Sequence, residues 1–394
     1  MTHPDDVFVT TYARKGTPLV TGDGVSVWDE ENNHYLDFGA GIAVNALGHN
    51  HPELTRALTE QAERLLHVSN LYYSAPQLAL ARMLVNKSFA DKVFFCNSGT
   101  EAIEAAIKFA RKHAQARDQN AYHVLSFSDG FHGRTYGALS ATPQEKFHKG
   151  FGPLVPGFHY APFNDCGATQ ELLQQYPFCA IIVEPLQGEG GINSADPAFL
   201  QLLRDHATAH DETCLIFDEI QCGLGRTGTL WCYEHFGITP DMMALAKPLG
   251  GGLPLGALVC TDDVVSGIAP GDHGTTFGGN PVACALGSAM LETIAQKDFL
   301  AHVQRMGDLL RGRLADIASR HPDICCDVRG KGLMCGIRMT QDPTTLIDAC
   351  ARNGLLVIKA GHNTVRFLPP LIVAAVHIDN ACTIFADALR EWTA

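Results

Sequence analysis

Short apolar runs alternate with stretches of helical period through the middle of the chain. Residues 93–96, 123–127, 179–184, 215–218, 243–247 and 256–260 predict strands. Between them, residues 101–115 place Ile103, Ala106, Ile107 and Ala110 at helical spacing, and a second helix is expected over 197–210. Runs apolar on both faces and separated by helices predict a mostly parallel sheet covered on both sides. Ligands bind such sheets at the carboxyl ends of the strands. The two ends of the chain read differently. Residues 19–38 predict a small antiparallel unit around Gly22-Asp23-Gly24, and beyond residue 281 two long helical patterns (281–296 and 299–320) lead to strands near 332–338 and 365–368. The expected architecture is α/β: a large domain over 56–280, with a smaller α+β domain built from residues 1–55 and 281–394.

A length of 394 residues has room for both domains. A net charge of -13 makes nucleic-acid phosphate a poor partner, and no basic run suits an anionic membrane surface. No apolar stretch is long enough to span a bilayer. The acidic start, Met1-Thr2-His3-Pro4-Asp5-Asp6, has no signal-peptide core, so a cytoplasmic location is expected. The 13 cysteines include no C-x-x-C pair and read as reduced, mostly buried thiols. His49-Asn50-His51-Pro52 invites a zinc reading, but no third ligand has matching spacing. Pro52 suits the first turn of a helix, so no metal is expected there.

Two residues carry the strongest chemical signal. Asp218 ends one apolar run; Lys247 follows another and precedes Pro248-Leu249-Gly250-Gly251-Gly252. Burial disfavours a charged Lys, and a neutral amine can attack a carbonyl. An acid at the end of a buried strand needs a cationic partner, and the ring nitrogen of pyridoxal phosphate is one. On these two residues alone, a Lys reaching solvent and an Asp capping a helix are the better reading. Asn97-Ser98-Gly99-Thr100, between a strand and a helix, is either a phosphate cradle or a plain N-cap. Gly130-Phe131-His132-Gly133-Arg134-Thr135 offers a stacking ring and a carboxylate clamp, or a surface turn. Glu184 and Glu189 sit in a Gly-rich loop where they position water, pair with an Arg or face solvent.

These segments share one order along one chain, and the chain resembles the class III, or ornithine-type, aminotransferases, fold type I pyridoxal-phosphate enzymes. The likeness runs from Tyr12 to about Trp392. It rests on GIAVNALGHNHP from Gly41, FFCNSGTEA from Phe94, FHGRT from Phe131, VEPLQGEGG from Val183, LIFDEIQCGLGRTG from Leu215, AKPLGGG from Ala246, HGTTFGGNP from His273 and VRFLPPL from Val365. The resemblance implies that Lys247 links covalently to pyridoxal 5'-phosphate and that Asp218 pairs with its ring nitrogen. Gln221 then reaches the ring hydroxyl side and Phe131 stacks on the ring. Ser98, Gly99 and Thr100 hold the phosphate, with Thr276 from a neighbouring subunit, so a homodimer with shared sites is expected. Arg366 takes the carboxylate beside the reacting carbon of glutamate, Arg134 takes the distant one, and Tyr12 and Tyr73 line the substrate side. The implied reaction is amino transfer between small molecules, with N-acetylornithine and 2-oxoglutarate as expected substrates. Ornithine, succinylornithine, 4-aminobutyrate and diaminobutyrate are the alternative donors. An aminomutase, a decarboxylase or a silent cofactor-binding protein remains as a more distant alternative. Pro248 and Cys222 depart from the family pattern.

Overall fold

The structure, a computed structural model, describes residues 7–14, 16–118 and 120–393. Its centre is a seven-stranded sheet in the order Lys92–Cys96, Gly256–Cys260, Met242–Leu245, Cys214–Asp218, Phe178–Val183, His123–Phe127, Phe158–Ala161. The pairs among the last five strands are all parallel. Gly256–Cys260 alone runs against its neighbours on both sides.

The apolar runs explain why this sheet is buried on both faces. Successive side chains point to opposite faces. Ala180, Ile182, Cys214 and Ile216 join one core with the helix Gly99–Gln115, which contributes Ala102, Ile103, Ala106 and Ala110. Their neighbours Ile181, Val183, Leu215 and Phe217 join a second core with Phe199, Leu200 and Leu203 of the helix Pro197–Ala209. A one-residue slip would exchange the two faces, so the register is tightly specified.

Residues from both ends of the chain form one small sheet: Leu19–Asp23, Ser26–Asp29 and His34–Asp37 are joined by Leu355–Leu356. A four-stranded antiparallel sheet follows, ordered Cys325–Lys331, Met334–Met339, Thr364–Phe367, Ile358–Ala360. Pro52 begins a helix, Pro52–Ala62, as its fixed φ favours. The helix Pro281–Ile294 packs on it and on Ala75–Asn86. Among the described residues no helix is long and apolar enough to cross a membrane.

Candidate functional site

Chain segments leaving the carboxyl ends of the parallel strands enclose a cavity of about 420 Å³. Its walls are residues 97–100, 131–134, Glu184, Glu189, Asp218, Gln221 and Lys247.

Asp218 is the last residue of its strand and only 3% exposed. Its Oδ1 accepts the Ile220 N–H at 3.1 Å, and its Oδ2 lies 2.8 Å from His132 Nδ1. Burial opposes a charge on His132, but the hydrogen bond and charge of Asp218, with Glu184 adding to them, raise the imidazole above its ordinary value. Glu184 is pushed up to about 7, by burial first and then by Asp218. His132 and the N–H groups of Phe131 (3.0 Å) and Gly188 (2.9 Å) oppose that shift. A buried imidazole therefore fixes the Asp218 carboxylate from behind.

Lys247 opens a tight turn, Lys247–Gly250, and holds φ at +42, a conformation L-residues rarely take. Such strain persists where the surrounding structure over-determines it, often at active sites. Pro248 sits in the first turn, where a backbone N–H would lack a helical partner anyway. Burial lowers the Lys247 amine, with Arg366 adding to that and Glu189 opposing it. The shift is toward the neutral form.

Arg366, on the strand Thr364–Phe367, is 2% exposed. Its Nη2 meets Glu189 Oε1 at 2.8 Å, and its Nη1 donates to Gln221 Oε1 at 2.8 Å. Its Nε is buried with no partner among the described residues. Glu189 is 31% exposed at the side chain, and its backbone carbonyl accepts the Gly361 N–H. Burial would raise the Glu189 carboxyl, but the charges of Arg366 and Lys247 bring it below its ordinary value.

At the other end the helix Gly99–Gln115 starts with Ser98 as its cap, accepting the Glu101 N–H. Thr100 Oγ1 lies 2.9 Å from Thr135 Oγ1 and accepts the N–H groups of Arg134 and Thr135. Gly99 is required by space: a Cβ there would lie 2.7 Å from Ile220 Cδ1. The cavity thus has a helix start suited to an anion, a carboxylate braced by an imidazole, an amine lowered by burial and the aromatic Phe131. This donor set fits an aromatic aldehyde bearing a phosphate and a protonatable ring nitrogen, which is pyridoxal phosphate.

Nine of the residues singled out in the sequence (Lys247, Asp218, Ser98, Gly99, Thr100, Phe131, Arg134, Glu189 and Gln221) line this cavity, and Arg366 is tied to two of them. Three are not brought in. Tyr12 is 72% exposed and Tyr73 88% exposed, and Tyr73 lines a separate surface cavity with Thr275. Thr276 lines a small pocket beside residues 67–70. The expectation that Tyr12 and Tyr73 line the substrate side is therefore not met within a single chain. From the sequence His132 received no role, and Glu184 read as positioning water, pairing with an Arg or facing solvent, not as a neighbour of Asp218 and His132. Among the described residues no cluster has the makings of a metal site, and His49 pairs with Asp37 at 2.9 Å instead.

The family model for aminotransferase class-III matches residues 11–389. The acetylornithine aminotransferase of Caldanaerobacter subterraneus is 47% identical over 393 residues, 99% of each chain. That of Aquifex aeolicus is 45% identical, over 97% of this chain and 99% of its own. Among solved structures, the N-acetylornithine aminotransferase of Stenotrophomonas maltophilia superposes with a TM-score of 0.85 at 36% identity, covering 97% of this chain and 98% of the other. The ornithine aminotransferase of Toxoplasma gondii gives 0.93 at 32% identity, covering 99% and 94%.

Proposed function

The chain belongs to the aminotransferase class III family of pyridoxal-phosphate enzymes, and on that premise we propose that it moves the terminal amine of N-acetylornithine to 2-oxoglutarate. The products are N-acetylglutamate 5-semialdehyde and glutamate, a step of arginine synthesis. The acetylornithine aminotransferases, 45–47% identical over nearly the full chain, are the observation that carries the substrate assignment. The higher TM-score of an ornithine aminotransferase favours ornithine as the second reading. A panel of ω-amines assayed against 2-oxoglutarate separates the two. N-acetylornithine is expected to give the highest kcat/KM, and a higher value for ornithine would overturn the assignment.

Bound pyridoxal phosphate supplies a carbonyl for the incoming amine and a sink for the electrons left when the donor carbon loses its proton. The chain supplies the rest. The helix start at residues 98–100 holds the phosphate, Phe131 packs on the ring, and Gln221 faces the ring hydroxyl side. Asp218, braced by His132, presents a carboxylate to the ring nitrogen. Lys247 would hold the cofactor covalently at rest, and its amine would take the proton from the donor's reacting carbon, a task that needs the uncharged form toward which burial shifts it. Arg134 holds the distant carboxylate of the substrate.

Thr276, Tyr12 and Tyr73 act on the site across a subunit boundary. Support comes from an exposed apolar surface, with Leu66, Leu71, Tyr72, Tyr73 and Phe277 all open to solvent in the single chain. A homodimer would cover it, and a monomer in sedimentation equilibrium would remove the shared-site reading. A compartment that keeps the 13 thiols reduced suits the free cysteines.

The Arg366–Glu189 pair explains how one pocket serves two unlike donors. Glutamate reacts at a carbon that carries a carboxylate, and Arg366 receives that group. N-acetylornithine reacts at a carbon that carries none. A buried guanidinium left unpaired would then be destabilised by about 3–5 kcal/mol. Glu189 pairs with Arg366 while N-acetylornithine is bound and withdraws for glutamate, as its partly exposed position permits. Glu189→Ala is expected to slow the N-acetylornithine half-reaction by about tenfold or more and to spare or speed the glutamate half-reaction. Single-turnover measurements with each donor test this, and equal loss in both would rule the switch out.

A further inference from the structure

Arg134 makes no ion pair among the described residues, although it stands at the cavity wall with its side chain exposed. What touches it is aromatic. Its guanidinium carbon lies 3.8 Å from the centroid of Phe147 and 5.5 Å from that of Phe131. The two rings meet edge to face at 5.9 Å. Phe147 belongs to a single helical turn, Glu145–His148, tied at one end to the Gly130–Arg134 loop and at the other to Thr142. Gln144 Nε2 donates to Gly130 O at 2.9 Å, and His148 Nε2 lies 2.7 Å from Thr142 O. The Arg134 backbone is fixed as well, through its N–H to Thr100 Oγ1.

This arrangement has a chemical consequence. A carboxylate neighbour would hold the guanidinium in place but would occupy its N–H donors. An aromatic face attracts the cation without accepting those planar donors, so the fork stays open for a ligand carboxylate. Lys146, whose Nζ lies 4.7 Å from the same ring centroid, adds positive charge at that mouth and no competing acceptor. We propose that Phe147 is a positioning residue for substrate carboxylate recognition: its ring presets the Arg134 guanidinium for the distant carboxylate of both substrates. The inference rests on the carboxylate role given to Arg134 above.

A cation–π contact is modest at a partly exposed site and strengthens when a bound substrate removes water. Phe147→Leu keeps an apolar side chain and removes the ring face. It is expected to raise KM for 2-oxoglutarate about 3- to 10-fold, with kcat changed about twofold or less. The dissociation constant of glutarate, a dicarboxylate without a reacting group, should rise in parallel on the holoenzyme. Phe147→Tyr retains the ring and should restore both values, which separates loss of the ring face from a folding defect. In an Arg134→Ala background, Phe147→Leu should add nothing. An unchanged KM in Phe147→Leu, or the same rise with Arg134 already removed, overturns the inference while leaving the role of Arg134 intact. If Arg134→Ala itself leaves glutarate binding and KM unchanged, the carboxylate role fails and the inference fails with it.

Discussion

Lys247→Ala is expected to lose turnover by on the order of 10³-fold or more in both half-reactions while still retaining pyridoxal phosphate. Retention follows because most of the holding groups remain: the helix start at residues 98–100, the Phe131 ring and the Asp218–His132 pair. Activity goes because two tasks fall to one amine, the resting covalent link and the proton transfer at the donor carbon. Burial favours the uncharged form that both tasks need. Lys247→Arg should fail as well, since a guanidinium stays protonated and can neither attack a carbonyl nor take a proton. Borohydride reduction should fix the cofactor to residue 247 in the parent enzyme, read as a mass increment on that peptide, and to no residue in Lys247→Ala. Near-parental turnover in Lys247→Ala, or a label on another lysine, would remove Lys247 from its role.

The sheet's interior was legible because burial on both faces leaves an unbroken apolar run. The five-residue strand Cys214–Asp218 is buried at every position, and so is Gly256–Cys260. The direction of Gly256–Cys260 was not legible, because an antiparallel strand buried on both faces has the same composition as a parallel one. Two edge strands escaped for the opposite reason. Phe158–Ala161 and Cys325–Lys331 close the ends of their sheets, keep one side partly open and carry His, Asp, Arg and Lys.

The site divides in the same way. Lys247 and Asp218 stood out by position, at or just after the end of an apolar strand, but position alone left a solvent-reaching Lys and a helix-capping Asp as the better reading. The partners of that pair did not stand out. His132 reaches Asp218 across 86 residues, and Arg366 reaches Gln221 across 145, separations that no local spacing reports. Arg366 came from the resemblance, whereas Glu189 was singled out by its Gly-rich loop, with pairing to an Arg as one of its readings. The Thr100–Arg134 tie and the ring beneath Arg134 emerge only once the loops are folded together.

Asp218→Asn carries the second largest expected effect, a fall in turnover of on the order of 100-fold or more. The amide keeps the size of the side chain and a contact with His132, but it removes the negative charge facing the ring nitrogen. In the proposed reaction that charge would keep the ring nitrogen protonated, and with it the ring's capacity to take up electrons. The change spreads further, because Asp218 is also what raises His132. Without the carboxylate, burial is left to lower the imidazole. Glu184 loses the repulsion of Asp218, while His132, which opposes its rise, loses the group that raises it. Asp218→Ala should be worse than Asn, since it also leaves His132 Nδ1 buried without its partner at 2.8 Å. Single-turnover rates with glutamate in the three proteins, together with circular dichroism to confirm the fold, give the comparison. A near-parental rate in a folded Asp218→Asn enzyme would show that some other group holds the ring nitrogen.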